Sequence, residues 1–475
     1  MNSATKYNLR YAVVDFLTTN LAFFLFNVYR YYCLKPVRHI YGSLSDFLSA
    51  AMPVLGQIIF PLLMMGVYYL SGVYSRGTMR SRTQELSTSV VTALIGTIMI
   101  FFSVLLNDLT HDRMSDYSLL AVLFVLLFGV VYPPRLFMTW RTNSRIASGE
   151  IGFDTLIVGY SSVPQLFPRQ LDKIKPVSGM RPVALADADN KAQFCTSGTD
   201  LPIYDLDSAA EVCATLGIER IIVIPAPRGW DRTLDVINSL FSLGLPLFIA
   251  ADDLPPFMFN ARMNTLVSEP YIDIMKTRMS PATLNVKRAF DVSASVLMLL
   301  LSAVPVALAA IAVKLTSSGP AFYLQERVGR HRRSFNIIKL RTMYADSEAS
   351  GQPELSCKGD TRVTPVGRFL RKYHIDELPQ CINVIRGEMS LVGPRPERPY
   401  FADLIMARDP AYALIYCLRP GVTSLGMVNF GYASSVDQMV SRMKYDLIYL
   451  NNVSLQFDLK IIFHTVYTVI SGRGV

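Results

Sequence analysis

The sequence predicts a chain in three parts: a membrane α-helical bundle over residues 1–145, an α/β domain with a parallel sheet over 146–275, and a mixed α/β, membrane-associated region over 276–475. Three observations carry that prediction. The 475 residues are 51% hydrophobic and only 17% charged, with a positive mean hydropathy, which is too apolar for an ordinary soluble chain of this length. The apolar residues are concentrated in the first third and in one stretch near residue 300. Elsewhere the pattern turns to short β-rich runs separated by amphipathic or turn-rich segments.

Four apolar segments open the chain, near Tyr11 to Tyr29, Met52 to Leu70, Leu86 to Leu106 and Leu119 to Met138, each close to the roughly 20 residues that a spanning helix needs. An even number of spans leaves both ends on one side. The cation bias of the loops puts Arg76, Arg80 and Arg82, with Arg135, Arg141 and Arg145, in the cytoplasm; Lys6 and Arg10 agree, whereas Arg30, Lys35 and Arg38 lie in the first outer loop. No small-residue cleavage site follows the first apolar segment, so a cleavable leader is not expected. The six cysteines show no CxxC pair and indicate neither a disulfide framework nor a zinc site. A net charge of +9, clustered beside the apolar stretches, suits anionic lipid or a polyanionic substrate rather than nucleic acid.

From Phe153 to about Pro255 the runs DTLIVGY, IERIIVIP and LPLFIAA alternate with segments such as LDSAAEVCATLG, the rhythm of a small Rossmann-like domain. Its opening, VGYSSVPQL, lacks the GxGxxG glycines that let backbone approach a pyrophosphate, so a structural or regulatory role is expected. At Lys287 the pattern changes again. The segment KRAFDVSASVLMLLLSAVPVALAAIAVKLTSSGPAFY has basic residues at its start, Lys314 towards its end and Pro305 in its middle, where a kink is expected. It could cross the bilayer, or turn and return to the same face with freed backbone groups satisfied by hydroxyls such as that of Ser302.

Next comes QERVGRHRRSFNIIKLRTM, with Arg327, Arg330, Arg332, Arg333, Lys339 and Arg341 in a short stretch. Alternation in SFNIIKL predicts a strand that carries Lys339 and Arg341 into a site suited to phosphate; Arg330 to Arg333 read equally well as a basic face docking on lipid. In VGRFLRKYHIDELPQCINVIRG two short helices are expected, the second with Pro379 in its first turn and Gly387 at its end. Asp376 and Glu377 then sit at a helix N-terminus, where unpaired N–H groups and the cations Arg371 and Lys372 favour ionised carboxylates. Asp376 could be only an N-cap. A cap does not explain the second carboxylate, or the nearby GPRP, whose prolines fix the direction of Arg395. Adjacent helical side chains diverge, so two roles are open: attack on phosphorus and holding a metal.

These pieces together, KRAFD, SSGPAFYLQERVGR, FNIIKLRTM, VTPVGRFLRKYHIDELPQCINVIRGEMSLVGPRPE and RPGVTSLGMVN, resemble the catalytic domain of the bacterial sugar transferase family, the polyprenyl-phosphate hexose-1-phosphate transferases, also called monotopic phosphoglycosyl transferases. With the four spans and the Rossmann-like domain, the resemblance is to the large form of the family. It implies a catalytic domain at 276–475 with a re-entrant helix at about 288–314, broken near Ser302 and Pro305. It also implies an enzyme of the bacterial inner membrane that moves a sugar-1-phosphate from a UDP-sugar to undecaprenyl phosphate on the cytoplasmic face, releasing UMP and initiating exopolysaccharide, capsule or O-antigen synthesis. By position Asp376 is the nucleophile of an aspartyl-phosphosugar intermediate and Glu377 a ligand of Mg²⁺, with Lys339, Arg371 and Arg395 neutralising the diphosphate. Arg341, Arg419 and Asp446 are placed near substrate by the family pattern alone. Where the family usually reads PGITGWAQVNGR, this chain has PGVTSLGMVNFGYA. The alternatives are a sugar-only glycosyltransferase that releases UDP, and a non-catalytic membrane scaffold; a homo-oligomer fits any of the three.

Overall fold

A computed structural model describes residues 3–75, 81–103, 113–161, 179–190, 201–226, 230–250, 271–273, 279–344, 354–355 and 360–470. The chain divides into two compact units, Met1–Ile151 with Ser280–Val286, and Gly152–Met279 with Lys287–Val475.

The first unit is built from α1 (Ser3–Cys33), α2 (Lys35–Tyr41), α3 (Leu44–Ser49), α4 (Ala51–Leu70), α5 (Arg82–Ser103) and α6 (Arg113–Ala147). Of these, α1, α4, α5 and α6 are long and apolar enough to cross a bilayer, and the chain is a membrane protein. Their outward faces carry exposed Leu17, Leu55, Leu62 and Leu94, the reverse of a soluble bundle. Inside, an apolar layer of Phe23, Phe26, Phe60, Met64, Leu119, Leu123 and Leu127 gives way to a polar one. There Arg135 donates from Nε to Asp15 at 2.6 Å, and both residues are fully buried. Tyr74 donates to Asp15 at 2.8 Å, and the Arg135 guanidinium lies 4.2 Å from the centre of the Tyr68 ring. Arg135, counted in the sequence among the cytoplasmic loop cations, is instead buried inside α6. A guanidinium at that depth of an apolar helix is tolerated only when it turns inward to a counter-charge, and α1 supplies one. Arg76 and Arg80 lie outside the described residues.

The second unit begins with a sheet of β1 (Phe153–Gly159), β2 (Met180–Asp187), β3 (Ile203–Asp205), β4 (Arg220–Val223), β5 (Leu247–Ala250) and β6 (Tyr271–Asp273), ordered β3-β2-β1-β4-β5-β6. The first five are parallel, and β6 runs antiparallel to β5. Helices α7 (Ala209–Thr215) and α8 (Trp230–Phe241) pack on it. Strands covered on both faces need continuous apolar runs, which is why LIV and RIIV read as they do. At the end of β2, where dinucleotide folds keep a ribose-binding carboxylate, buried Asp187 accepts the backbone N–H groups of Ser161 and Asp189, each at 3.0 Å. That carboxylate stabilises its own loop.

The chain continues as α9 (Pro281–Thr316), the antiparallel hairpin β7 (Phe322–Val328) and β8 (Ser334–Leu340), α10 (Pro365–Lys372), α11 (Gln380–Arg386), β9 (Ser390–Val392), α12 (Pro399–Arg408), β10 (Gly421–Thr423), α13 (Leu425–Asn429), α14 (Val436–Asn452) and α15 (Leu455–Ile470). β9 and β10 pair in parallel. α9 runs through Pro305 as one helix, with Ser302 half-buried and Pro305 exposed within it. Its buried stripe is Lys287, Asp291 and Ser295 before the proline and Ala309 and Val313 after it. Lys287 reaches Asp458 at 2.6 Å, Asp291 accepts from Ser390 at 2.6 Å, and Arg288 donates to the last carbonyls of α11, those of Val384 and Ile385. Ala309 and Val313 pack on Leu340 and Leu370. Both flanks of α9 therefore dock on the C-terminal body, while Leu300, Leu301 and Val304 between them are exposed. A 3-10 segment, Pro410–Cys417, links two cores: Ala413 and Cys417 enter the core of the sheet domain, and Tyr412, Ile415 and Tyr416 that of α12 and α14.

Candidate active site

The site begins where α10 ends. Thr364 caps that helix by accepting the Gly367 N–H at 2.9 Å, and Pro365 follows at the first helical position, where its missing N–H costs nothing. His374 then takes a left-handed conformation, φ 52°, and turns the chain into a 3-10 turn, Ile375–Glu377. α11 starts only after Pro379 and closes at Gly387, whose φ of 89° suits glycine. Asp376 and Glu377 thus stand one turn ahead of α11 rather than at its N-terminus. Their own short turn, with Glu377 N–H bonded to the His374 carbonyl at 3.2 Å, aims the two side chains apart.

Asp376 is 7% exposed, and among the described residues its Oδ1 has no hydrogen-bond partner. Burial, joined by the charge of Glu377, pushes its carboxyl up to about 6, against the pull of Lys339, Arg371 and His374. Glu377 behaves in the opposite way. Burial raises it, but Lys339, a hydrogen bond from His374 and the Arg395 charge outweigh burial and leave it well below the usual carboxylate range. Lys339 Nζ lies 2.8 Å from Glu377 Oε1, and His374 Nδ1 lies 3.7 Å from Oε2. Burial lowers the Lys339 ammonium despite that partner, whereas the bond to Glu377 raises His374. Two adjacent carboxylates are therefore driven apart in protonation by their surroundings, the pattern of a dyad with divided labour.

A small cleft is lined by Arg327, Lys339, Glu377, Gln380, Arg395 and Gly421, among others. Of the residues singled out in the sequence, Lys339, Glu377 and Arg395 come together there, and Arg371 acts on Asp376 while its Nε donates to Thr342 at 2.9 Å. Arg341, Arg419 and Asp446 do not line the cleft. Arg341 is buried and donates to Ser317, and Arg419 donates to the Gly387 carbonyl at 2.9 Å. Asp446 accepts the N–H of Gly426 at 3.0 Å and of Arg395 at 3.4 Å, so it braces the GPRP loop instead of facing substrate. Burial pushes it up to about 6. Ser302 and Pro305 lie within α9, away from the cleft residues in sequence and outside its lining. Among the described residues no group of three or more His, Cys, Asp or Glu is arranged to hold a metal.

Other residues contribute that the sequence reading did not single out. Arg395 lies over the Tyr432 ring at 5.3 Å, and the His374 ring stacks on Tyr432 at 6.5 Å. Buried Glu397 holds Arg442 in an ion pair and has Arg327 at 3.8 Å, which fixes that cation at the cleft wall. The signal for Glu397 was its place in GPRPE; nothing marked Tyr432 except that it lies in PGVTSLGMVNFGYA, the stretch departing from the family's usual reading.

Fold and site define a membrane-anchored α/β protein with a cation-ringed carboxylate pair at the foot of an apolar helix. The chain belongs to the bacterial sugar transferase family, whose model, "Bacterial sugar transferase", matches residues 282–472. It is 44% identical over 187 residues to a UDP-glucose:undecaprenyl-phosphate glucose-1-phosphate transferase of Caulobacter vibrioides, covering 39% of this chain and 70% of that one. It is 40% identical over 195 residues to a UDP-N-acetylgalactosamine-undecaprenyl-phosphate N-acetylgalactosaminephosphotransferase of Aeromonas hydrophila, covering 41% of this chain and 46%, about half, of that relative's length. A longer match, 26% over 425 residues, covers 86% of this chain and 91% of the galactosyl transferase CpsE of Streptococcus agalactiae.

Proposed function

We propose that this protein transfers a sugar-1-phosphate from a UDP-sugar to undecaprenyl phosphate, releasing UMP and initiating a lipid-linked polysaccharide. The observation that carries the reading is Asp376: a buried carboxylate with an oxygen free for attack, next to Glu377, the carboxylate held ionised at the wall of a cleft lined by Arg327, Lys339 and Arg395. An Asp376 oxygen attacks the sugar-bearing phosphorus, the phosphoanhydride bond breaks, and UMP leaves with the bridging oxygen. The phosphate of the lipid acceptor then attacks the same phosphorus, which breaks the acyl phosphate and returns the carboxylate. Lys339, Arg327 and Arg395 face the charge that develops on the phosphoryl oxygens. Glu377, one oxygen of which pairs with Lys339, would hold Mg²⁺ with substrate oxygens completing the coordination, and the ion would help neutralise the diphosphate.

The docking of α9 supports a re-entrant placement. Only residues 296–305 separate its two anchored flanks, about 15 Å of helix against an apolar core of roughly 30 Å. A helix seated on the same folded body at both flanks fits a return of that body to one face of the bilayer, and the bias of the loop cations favours the cytoplasmic one. An acceptor whose tail stays in lipid needs its phosphate met at that surface.

The test is purified protein in lipid with Mg²⁺, undecaprenyl phosphate and a panel of UDP-sugars. UMP release from a donor, lost in Asp376→Asn, and a phosphosugar adduct on Asp376 by mass spectrometry are expected. Release of UDP would establish sugar-only transfer and end this reading.

A further inference from the structure

Arg341 stands next to the cleft without joining it, and it is held in an unusual way. The guanidinium is buried, and Nη2 donates to the carbonyl of Ser317 at 2.8 Å and to its hydroxyl at 3.0 Å. Among the described residues Nε and Nη1 have no hydrogen-bond partner. A buried cation with idle N–H groups is costly, and native proteins retain one where an anion or water belongs. Its cover is thin. Ser318, Gly319 and Pro320 are exposed, and Gly319, at φ 109°, lies so close over Nη1 that any side chain there would strike the guanidinium. Rotation at this one glycine uncovers the idle donors without moving a helix.

The position matters as much as the free donors. The turn Ser317–Pro320 is where α9 leaves its apolar run. On the other side, Thr342 accepts from Arg371, whose charge bears on Asp376. The cations of the cleft are a separate set, Arg327, Lys339 and Arg395. A reaction with two phosphate-bearing substrates has one group of cations for the donor diphosphate, and a single idle guanidinium between the apolar helix and the nucleophile.

We infer that Arg341, beneath the Ser317–Pro320 turn, is a second anion site that takes the phosphate monoester head of the lipid acceptor as it leaves the flank of α9. This rests on the phosphoglycosyl transfer proposed above. The Gly319 turn lifts, the monoester oxygens accept from Nε and Nη1, and Arg371 receives the phosphate next on the way to the acyl phosphate.

The experiment uses the full chain in nanodiscs and measures kcat/KM separately for donor and for undecaprenyl phosphate in the wild type, Arg341→Gln, Arg341→Lys and Gly319→Ala. Arg341→Gln is expected to lower kcat/KM for the acceptor about ten-fold or more, the scale of a lost charge-assisted hydrogen bond, with the donor value little changed. Arg341→Lys should recover part of the loss, and Gly319→Ala, whose added carbon would strike Nη1 and so disfavours the covered state while keeping the cation, should raise kcat/KM for the acceptor rather than lower it. A parallel fall in both values, a fall confined to the donor, or no change would overturn the assignment. Competition by farnesyl phosphate against the acceptor, abolished in Arg341→Gln, supports a lipid head; equal competition by inorganic phosphate would show a site for free phosphate and overturn the lipid part. If the wild type releases no UMP, the transfer reading fails on its own. Thermal stabilisation by farnesyl phosphate, present in the wild type and absent in Arg341→Gln, then still supports the anion site, and its presence in both removes it.

Discussion

Asp376 is kept at a cost to the fold. Its carboxyl is raised to about 6 from an unfolded value near 3.9, so the native state holds the proton more tightly, and stability falls as pH rises through that interval. Two units correspond to about 3 kcal/mol as an upper bound. Asp376→Asn should therefore abolish UMP release and raise the melting temperature at pH 7.5, an effect that thermal unfolding of the two proteins side by side would reveal. The same shift predicts that kcat/KM for the donor climbs with pH about ten-fold per unit below 6 and levels above it, because only the carboxylate attacks; a flat profile from pH 5 to 7 would remove Asp376 as the titrating nucleophile. Glu377 has the opposite sign. Its depressed carboxyl contributes stability above its unfolded value near 4.3, lost as pH falls through the folded one. The motif HIDELPQ made both residues legible, but their division of labour was not, because it depends on Lys339 and Arg395 arriving from distant strands and loops.

At the scale of elements, the β7–β8 hairpin is the strut of the site. Its strands carry Arg327 and Lys339 to the cleft, and its turn is held from both cores: Arg332 meets Asn238 of α8 at 3.5 Å and Asp403 of α12 at 3.1 Å, and Arg330 donates to the Cys417 carbonyl of the linking segment at 3.1 Å. His331 and Arg332 are both left-handed, φ 57° and 55°, which non-glycine residues adopt when their surroundings over-determine them. The basic run could be read equally well as a lipid-docking face. Arg330 and Arg332 instead bond to protein, a choice that alternation along a strand does not reveal. Arg332→Ala should lower kcat/KM for the donor by about 2- to 30-fold, the range of a loosened support, measured against unchanged membrane insertion. The apolar helix was legible from its composition, but its docking was not: Lys287 and Arg288 look like membrane-flanking cations, yet one pairs with Asp458 and the other caps α11. If Pro305 sets the return of α9, Pro305→Leu should move a cysteine placed at Lys314 out of reach of a cytoplasmic thiol reagent; unchanged labelling would assign the return to the flanks alone.

Over the whole molecule, the sequence marked three stretches by composition, whereas the sheet domain and the C-terminal region make one compact unit. No local pattern foretells that, because the join is a 3-10 segment with residues for two cores, Ala413 and Cys417 on one side and Tyr412 and Tyr416 on the other. β4 and α14 should lose hydrogen-exchange protection together in denaturant, and separate transitions would show two independent folding units. The same segment orders events on the ribosome. The sheet has its last strand by Asp273, yet its core waits for Ala413 and Cys417, which emerge after the carboxylate pair and the GPRP loop have been made. Until they emerge the core of the sheet domain lacks two of its buried residues, so a chain that stalls before Ala413 leaves that core unfinished behind helices already made for the membrane.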